Sequence, residues 1–263
     1  MEAAVTIISS ETEKKFEIIS KRKEREMNAE NVIRELLNSR QNFIFLGEAG
    51  CGKSETALNF ALAVRRLTDR EVHFFDLDQT KPLFRSRDVR AQLEAENIVF
   101  HYEEQFQDAP TSAGGVNEKL ADPEAVTILD VGGNDTGSRL VGEYSGWLNR
   151  PETQIFFLLN VFRPWSADIG AVDQTMTMIY RAARIGLENT SVIQNPNVGN
   201  TTTPEEILEG AEKSSAMLKG ILPVSMLAVR EKAAGQVMKE TDLPVFPLSL
   251  FMQYEWEADS EDA

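Results

Sequence analysis

The chain passes from an apolar run, FIFL, directly into GEAGCGKSE at residues 47–55, and no other stretch limits its fold as sharply. Gly47, Gly52, Lys53 and Ser54 occupy the spacing G-x-x-x-x-G-K-[ST]. Glycines at such intervals let a backbone curl until successive amides point inward. The residues that follow, TALNFALAVRRL, carry apolar positions at helical spacing. The stretch therefore predicts a strand ending at Leu46, a tight loop, and a helix from about Lys53 toward Leu67. Beyond Arg40 short apolar runs alternate with amphipathic ones, the texture of an α/β domain.

Strands are expected at 43–47, 72–78, 125–131, 153–160 and 190–195, with further ones in LPVSML and PVFPLSL. Helices fill the intervals, and Thr203, Pro204 and Glu206 mark one helix start with a cap, a first-turn proline and a return carboxylate. The expected fold is a three-layer α/β sandwich with a mainly parallel central sheet over residues 41–252. Residues 1–40 are expected to form a charged N-terminal helical extension, in which Ser10 and Glu13 suit a capping box and KRKER at 21–25 reads as a solvated face. Residues 253–263 form an acidic tail.

Composition narrows the class of partner. At 263 residues, 42% hydrophobic and 26% charged, the chain can bury one large core. No apolar run approaches the roughly 18 residues of a membrane span, and the start lacks a basic region followed by an apolar one. A cytoplasmic protein without a membrane partner is expected. The formal charge of -15 opposes phosphodiester backbones and anionic lipids, so nucleic acid is not an expected partner. One cysteine and two histidines cannot make an intrachain disulfide or a Cys/His metal cage.

The loop at 47–55 has the chemistry of a phosphate cradle. Backbone amides from Gly47, Gly50, Cys51, Gly52, Lys53, Ser54 and Glu55 would surround a β-phosphate at the positive end of the following helix. Lys53 would reach the β- and γ-phosphates, and the Ser54 hydroxyl would ligate Mg²⁺. An acidic partner is needed at the end of a neighbouring strand, and TILDVGGND supplies Asp130 for the metal shell and Gly133 as a γ-phosphate sensor. In FFDLDQT, Asp76 and Asp78 alternate on a strand and leave it toward the same crevice. Asp76, Asp78 and Lys53 are the catalytic candidates.

These three pieces, in this order, resemble the SIMIBI division of P-loop NTPases and especially its MinD/ParA/CobQ nucleotide-binding group. The resemblance covers roughly residues 41–250, and DLDQTKPLFRSRD, DVGGNDTG, LLNVFRPW and QNPNVGNTTTPEEILEG are similar to a set of stand-alone bacterial ATP-binding proteins within that group. It implies ATP and Mg²⁺ as cofactors, slow hydrolysis, and a nucleotide-controlled switch acting on a protein partner. One departure matters: the group's loop carries a second lysine that crosses a dimer to the partner's phosphates, and this chain has Glu48 there. Assistance would have to come from an arginine such as Arg85, Arg87, Arg139 or Arg163. Two Glu48 carboxylates would also oppose a face-to-face ATP dimer, so a homodimer is expected to use another surface, with the apolar stripe before Arg40 as its candidate.

No N-K-x-D occurs, which the resemblance would require of a guanine-specific member. An apolar strand instead ends in IQNPN, where ATP-binding members place an asparagine against adenine; Asn195 is the first candidate and Asn197 the second, although Asn-Pro also forms turns. The alternative function class is a small-molecule ATP-dependent ligase or kinase of the dethiobiotin synthetase type.

Overall fold

The computed structural model describes residues 28–78, 87–101, 115–133 and 135–251. The Ser10/Glu13 box, the basic cluster at 21–25, Arg85 and the acidic tail lie outside them. In chain order the elements are α1 (Asn28–Leu37), β1 (Asn42–Leu46), α2 (Lys53–Leu67), β2 (Glu71–Leu77), α3 (Arg87–Ala95), β3 (Ile98–His101), α4 (Val116–Ala121), β4 (Ala125–Val131) and α5 (Asp135–Val141). They continue with α6 (Ser145–Leu148), β5 (Thr153–Leu159), α7 (Ile169–Ala183), β6 (Thr190–Gln194), α8 (Pro204–Leu218), β7 (Val224–Arg230), α9 (Glu231–Val237) and β8 (Val245–Leu248).

All eight strands pair in parallel in one sheet of order β3-β2-β4-β1-β5-β6-β7-β8. Parallel strands must be covered on both faces, and the side chains divide by the pleat accordingly. Phe43 and Phe45 of β1 join α1, α2 and α3 in one core, whereas Ile44 and Leu46 join α4, α6 and α7 in the other. A third cluster lies under α8 and α9. The architecture is the expected three-layer α/β P-loop type. β3, only four residues long, was not foreseen. The cap at Thr203 forms as expected: its hydroxyl accepts from Glu206 NH at 3.2 Å while the Glu206 carboxylate accepts from Thr203 NH at 2.8 Å.

The stripe before Arg40 finds its cover within the chain. Ala29 and Ile33 of α1 are buried in the core beside α2 and β8, and Val32, Leu36 and Leu37 are half-buried. That stripe is therefore not the open self-association surface its sequence suggested. Among the described residues no helix is long and apolar enough to cross a membrane.

The two histidines meet at one end of the sheet. His73 Nδ1 lies 2.9 Å from His101 Nε2, and His101 stacks on Phe75 with ring centroids 4.1 Å apart. Burial lowers both pKa values, that of His101 to about 4 with His73 and Lys119 adding to the effect, while Glu71 partly opposes it at His73. A ring whose folded pKa lies below its unfolded value binds fewer protons in the native state, so its contribution is complete above about pH 6.5 and drains as pH falls toward 4. Denaturant titrations at pH 7.5 and 5 should show wild type losing on the order of 1–2 kcal/mol more than His101→Phe. Parallel pH curves for the two proteins would contradict this.

Candidate functional site

The crevice lies at the carboxyl ends of the central strands, where β1 leads into the glycine-rich loop and α2. Gly47, Gly50 and Gly52 all take positive φ, at 141°, 73° and 93°. Gly52 has two reasons to be glycine. It caps α2 in the left-handed region, and a Cβ on it would run into Asn195 Nδ2. Lys53, 2% exposed, points its ammonium back over the loop and donates to the Glu48 carbonyl at 2.9 Å. Ser54 is buried in the first turn of α2, whose amides face the loop.

The Cys51 side chain is buried at 1% exposure, so the one thiol is a packing element beneath the loop. Its carbonyl accepts from Asn195 Nδ2 at 2.8 Å, which ties the end of β6 to the middle of the loop. Asn195 thus spends its amide on holding the loop. Asn197 is a turn residue in this structure: its Oδ1 accepts from Gly199 NH at 2.7 Å. Its backbone is gripped by Asn160, whose Nδ2 donates to Asn197 O at 2.7 Å and whose Oδ1 accepts from Asn197 NH at 3.2 Å. Sequence reasoning passed over Asn160, a polar residue closing the apolar run of β5. That placement was its only signal.

Glu55 turns away from the loop. Both its oxygens accept from Phe251 NH, at 3.1 and 3.0 Å, and one turn later Asn59 brackets Ser249, donating to its carbonyl at 2.8 Å and accepting from its NH at 2.9 Å. The segment after β8 is thereby laid along the loop's own helix. Any part Glu55 takes at a phosphate falls to its backbone amide.

Three carboxylates approach from the other side. Asp76 of β2 and Asp130 of β4 are register partners, and Asp130 also pairs with Phe45 of β1. Both project to the α2 face, as do Phe74 and Ile128 at even positions of the same strands. Asp78 is buried just past β2, with its NH donating to Asp76 Oδ1 at 3.0 Å, and its own Oδ1 lies 3.1 Å from where a Gly132 Cβ would stand. The loop leaving β4 reaches the glycine-rich loop itself. A Cβ on Gly133 would lie 2.5 Å from Ala49 N and 2.6 Å from Lys53 Nζ, an approach only glycine permits. Of the arginine candidates, Arg139 is exposed on α5, Arg163 precedes the turn at Pro164–Ser166, and Arg87 opens α3.

The chain is similar in structure to several solved proteins. Signal recognition particle 54 kDa protein from Aeropyrum pernix K1, in complex with GDP, aligns at 18% identity and TM-score 0.46 over 72% of this chain and 41% of that one, so this chain spans less than half of its length. Cell division protein FtsY from Thermotoga maritima aligns at 16% and 0.44 over 78% and 70%. Signal recognition particle receptor FtsY from Elizabethkingia anophelis aligns at 14% and 0.47 over 83% and 69%. No family model and no curated protein matches the chain.

Proposed function

We propose that the chain is a Mg²⁺-dependent ATP-binding protein of the MinD/ParA-like kind, a slow ATPase whose nucleotide state switches its hold on a protein partner. The observation that carries this reading is the convergence of Gly133 on Ala49 and Lys53, which sets the loop after β4 against the glycine-rich loop. The residues suit the group they would hold. Ser54 and Asp130 offer the one or two protein oxygens Mg²⁺ takes when phosphate oxygens complete its shell. Lys53 is already buried and aimed over the loop. Bound Mg²⁺-ATP supplies the transferable γ-phosphoryl group and much of its charge neutralisation.

The chain's own residues divide the remaining work. Lys53 and the loop amides bind and orient the phosphates. Asp130 would help hold Mg²⁺, and Asp76 and Asp78 would orient the attacking water and accept its proton. Gly133 NH reads the third phosphate, so the loop after β4 is the element that differs between nucleotide states. Asn195 Nδ2 gives one of its two hydrogens to Cys51, and its oxygen is an acceptor it can offer a base. An acceptor there matches the exocyclic amine of adenine and opposes the O6 of guanine.

Thermal unfolding with Mg²⁺ and ATP, ADP or GTP tests the reading. A ligand at about 100 times its Kd adds about 2.7 kcal/mol, which in a protein of this size is a rise of about 5–10 °C. ATP and ADP should produce it and GTP should produce much less. No shift with any nucleotide at millimolar concentration would defeat the proposal.

A further inference from the structure

We infer that Glu48 is a built-in competitor for the third phosphate, so that the resting loop accepts a nucleoside diphosphate more readily than a triphosphate. The inference rests on the nucleotide reading above and concerns one residue of the same site. Glu48 engages both positive groups at the mouth of the loop. Its side-chain Oε2 accepts from Ala49 NH at 3.3 Å, and its backbone carbonyl accepts from Lys53 Nζ at 2.9 Å.

Gly133 closes the same spot from the opposite side, within 2.5 Å of Ala49 N and 2.6 Å of Lys53 Nζ when measured from a Cβ built on it. A phosphate sitting between Ala49, Lys53 and Gly133 therefore needs two displacements. The Glu48 carboxylate must release the Ala49 amide, and the Gly132–Gly133 backbone must retreat. A β-phosphate would sit away from Ala49, at the start of the helix that Gly52 caps and Lys53 and Ser54 open.

Electrostatics adds to the steric argument. A carboxylate at Ala49 stands beside the most highly charged group of a triphosphate, and like charges a few ångströms apart in a partly desolvated loop repel strongly. A diphosphate ends one group short of that contact. Glu48 is half-buried, so part of this repulsion is shielded by salt.

Glu48→Gln separates the charge from the shape, because the amide oxygen can still accept from Ala49 NH. Calorimetric titration of the full chain with Mg²⁺-ADP and with a non-hydrolysable Mg²⁺-ATP analogue gives the affinity ratio directly, without any turnover. The variant should bind the triphosphate analogue about 10-fold more tightly than wild type does, with ADP affinity changed less than about 3-fold. Raising salt should narrow the wild-type gap and leave the variant's gap nearly constant. An unchanged triphosphate-to-diphosphate ratio, with both nucleotides still binding, overturns the role of Glu48 and leaves the nucleotide reading standing. Binding of neither nucleotide to either protein overturns both.

Discussion

Lys53→Ala is expected to lower affinity for Mg²⁺-ATP by roughly 30-fold to several-thousand-fold while leaving the nucleotide-free protein folded. The Lys53 ammonium is buried at 2% exposure and has the Glu48 carbonyl at 2.9 Å as a hydrogen-bond acceptor. In the proposed complex it would meet the phosphates with little competing water. Removing one partner of a desolvated charge pair costs about 2–5 kcal/mol, and each 1.4 kcal/mol is about tenfold in affinity. Without ligand the balance differs, because a buried cation held by a neutral carbonyl contributes little net stability. Calorimetric titration and melting of the free protein separate the two effects. Asp130→Ala should contrast with it, retaining ADP affinity and losing Mg²⁺-dependent turnover. A Lys53→Ala protein that binds Mg²⁺-ATP within about 3-fold of wild type would remove Lys53 from the site.

The largest stability loss is expected from Phe60→Ala. Phe60 of α2 is fully buried against Phe43, Phe45 and Phe156, with ring centroids 5.0, 5.4 and 5.3 Å away. These rings fasten α2 to β1 and β5, so truncation opens a void between helix and sheet. Phenylalanine-to-alanine changes in such cores cost about 3–5 kcal/mol. For a chain of this length that is a fall in Tm of about 6–20 °C, measurable by calorimetry. A fall of less than about 3 °C would mean that the aromatic cluster does not hold α2 in place.

The fold was legible wherever local chemistry alone decides conformation. β4 runs over Ala125–Val131, as its mainly apolar run AVTILDV foretold, because a central parallel strand is buried on both faces. The Thr203 cap and the start of α2 at Lys53 were legible for the same reason, since both are decided within a few residues. β3 escaped because its four residues, IVFH, carry only a short edge-strand signal. At the site, residue types and positions could be read from spacing, but hydrogen-bond assignments could not. Whether Asn195 faces a base or grips Cys51 depends on residues 144 apart in sequence, and Glu55's turn toward Phe251 spans 196. No local pattern encodes either. The turn of the Glu48 carboxylate onto its neighbour's amide is a local choice of side-chain rotamer, which residue identity leaves open.

The bracket formed by Glu55 and Asn59 also has a consequence for time. Their partners, Phe251 and Ser249, lie 196 and 190 residues downstream. At synthesis rates of about 5–20 residues per second, α2 exists for roughly 10–40 s before the segment that completes its packing has been made. During that interval α2 lacks its hydrogen bonds to Ser249 and Phe251, and part of its apolar face lacks β8. Ligand competence should therefore appear late, as a single step when the last strand docks, and not grow gradually with chain length.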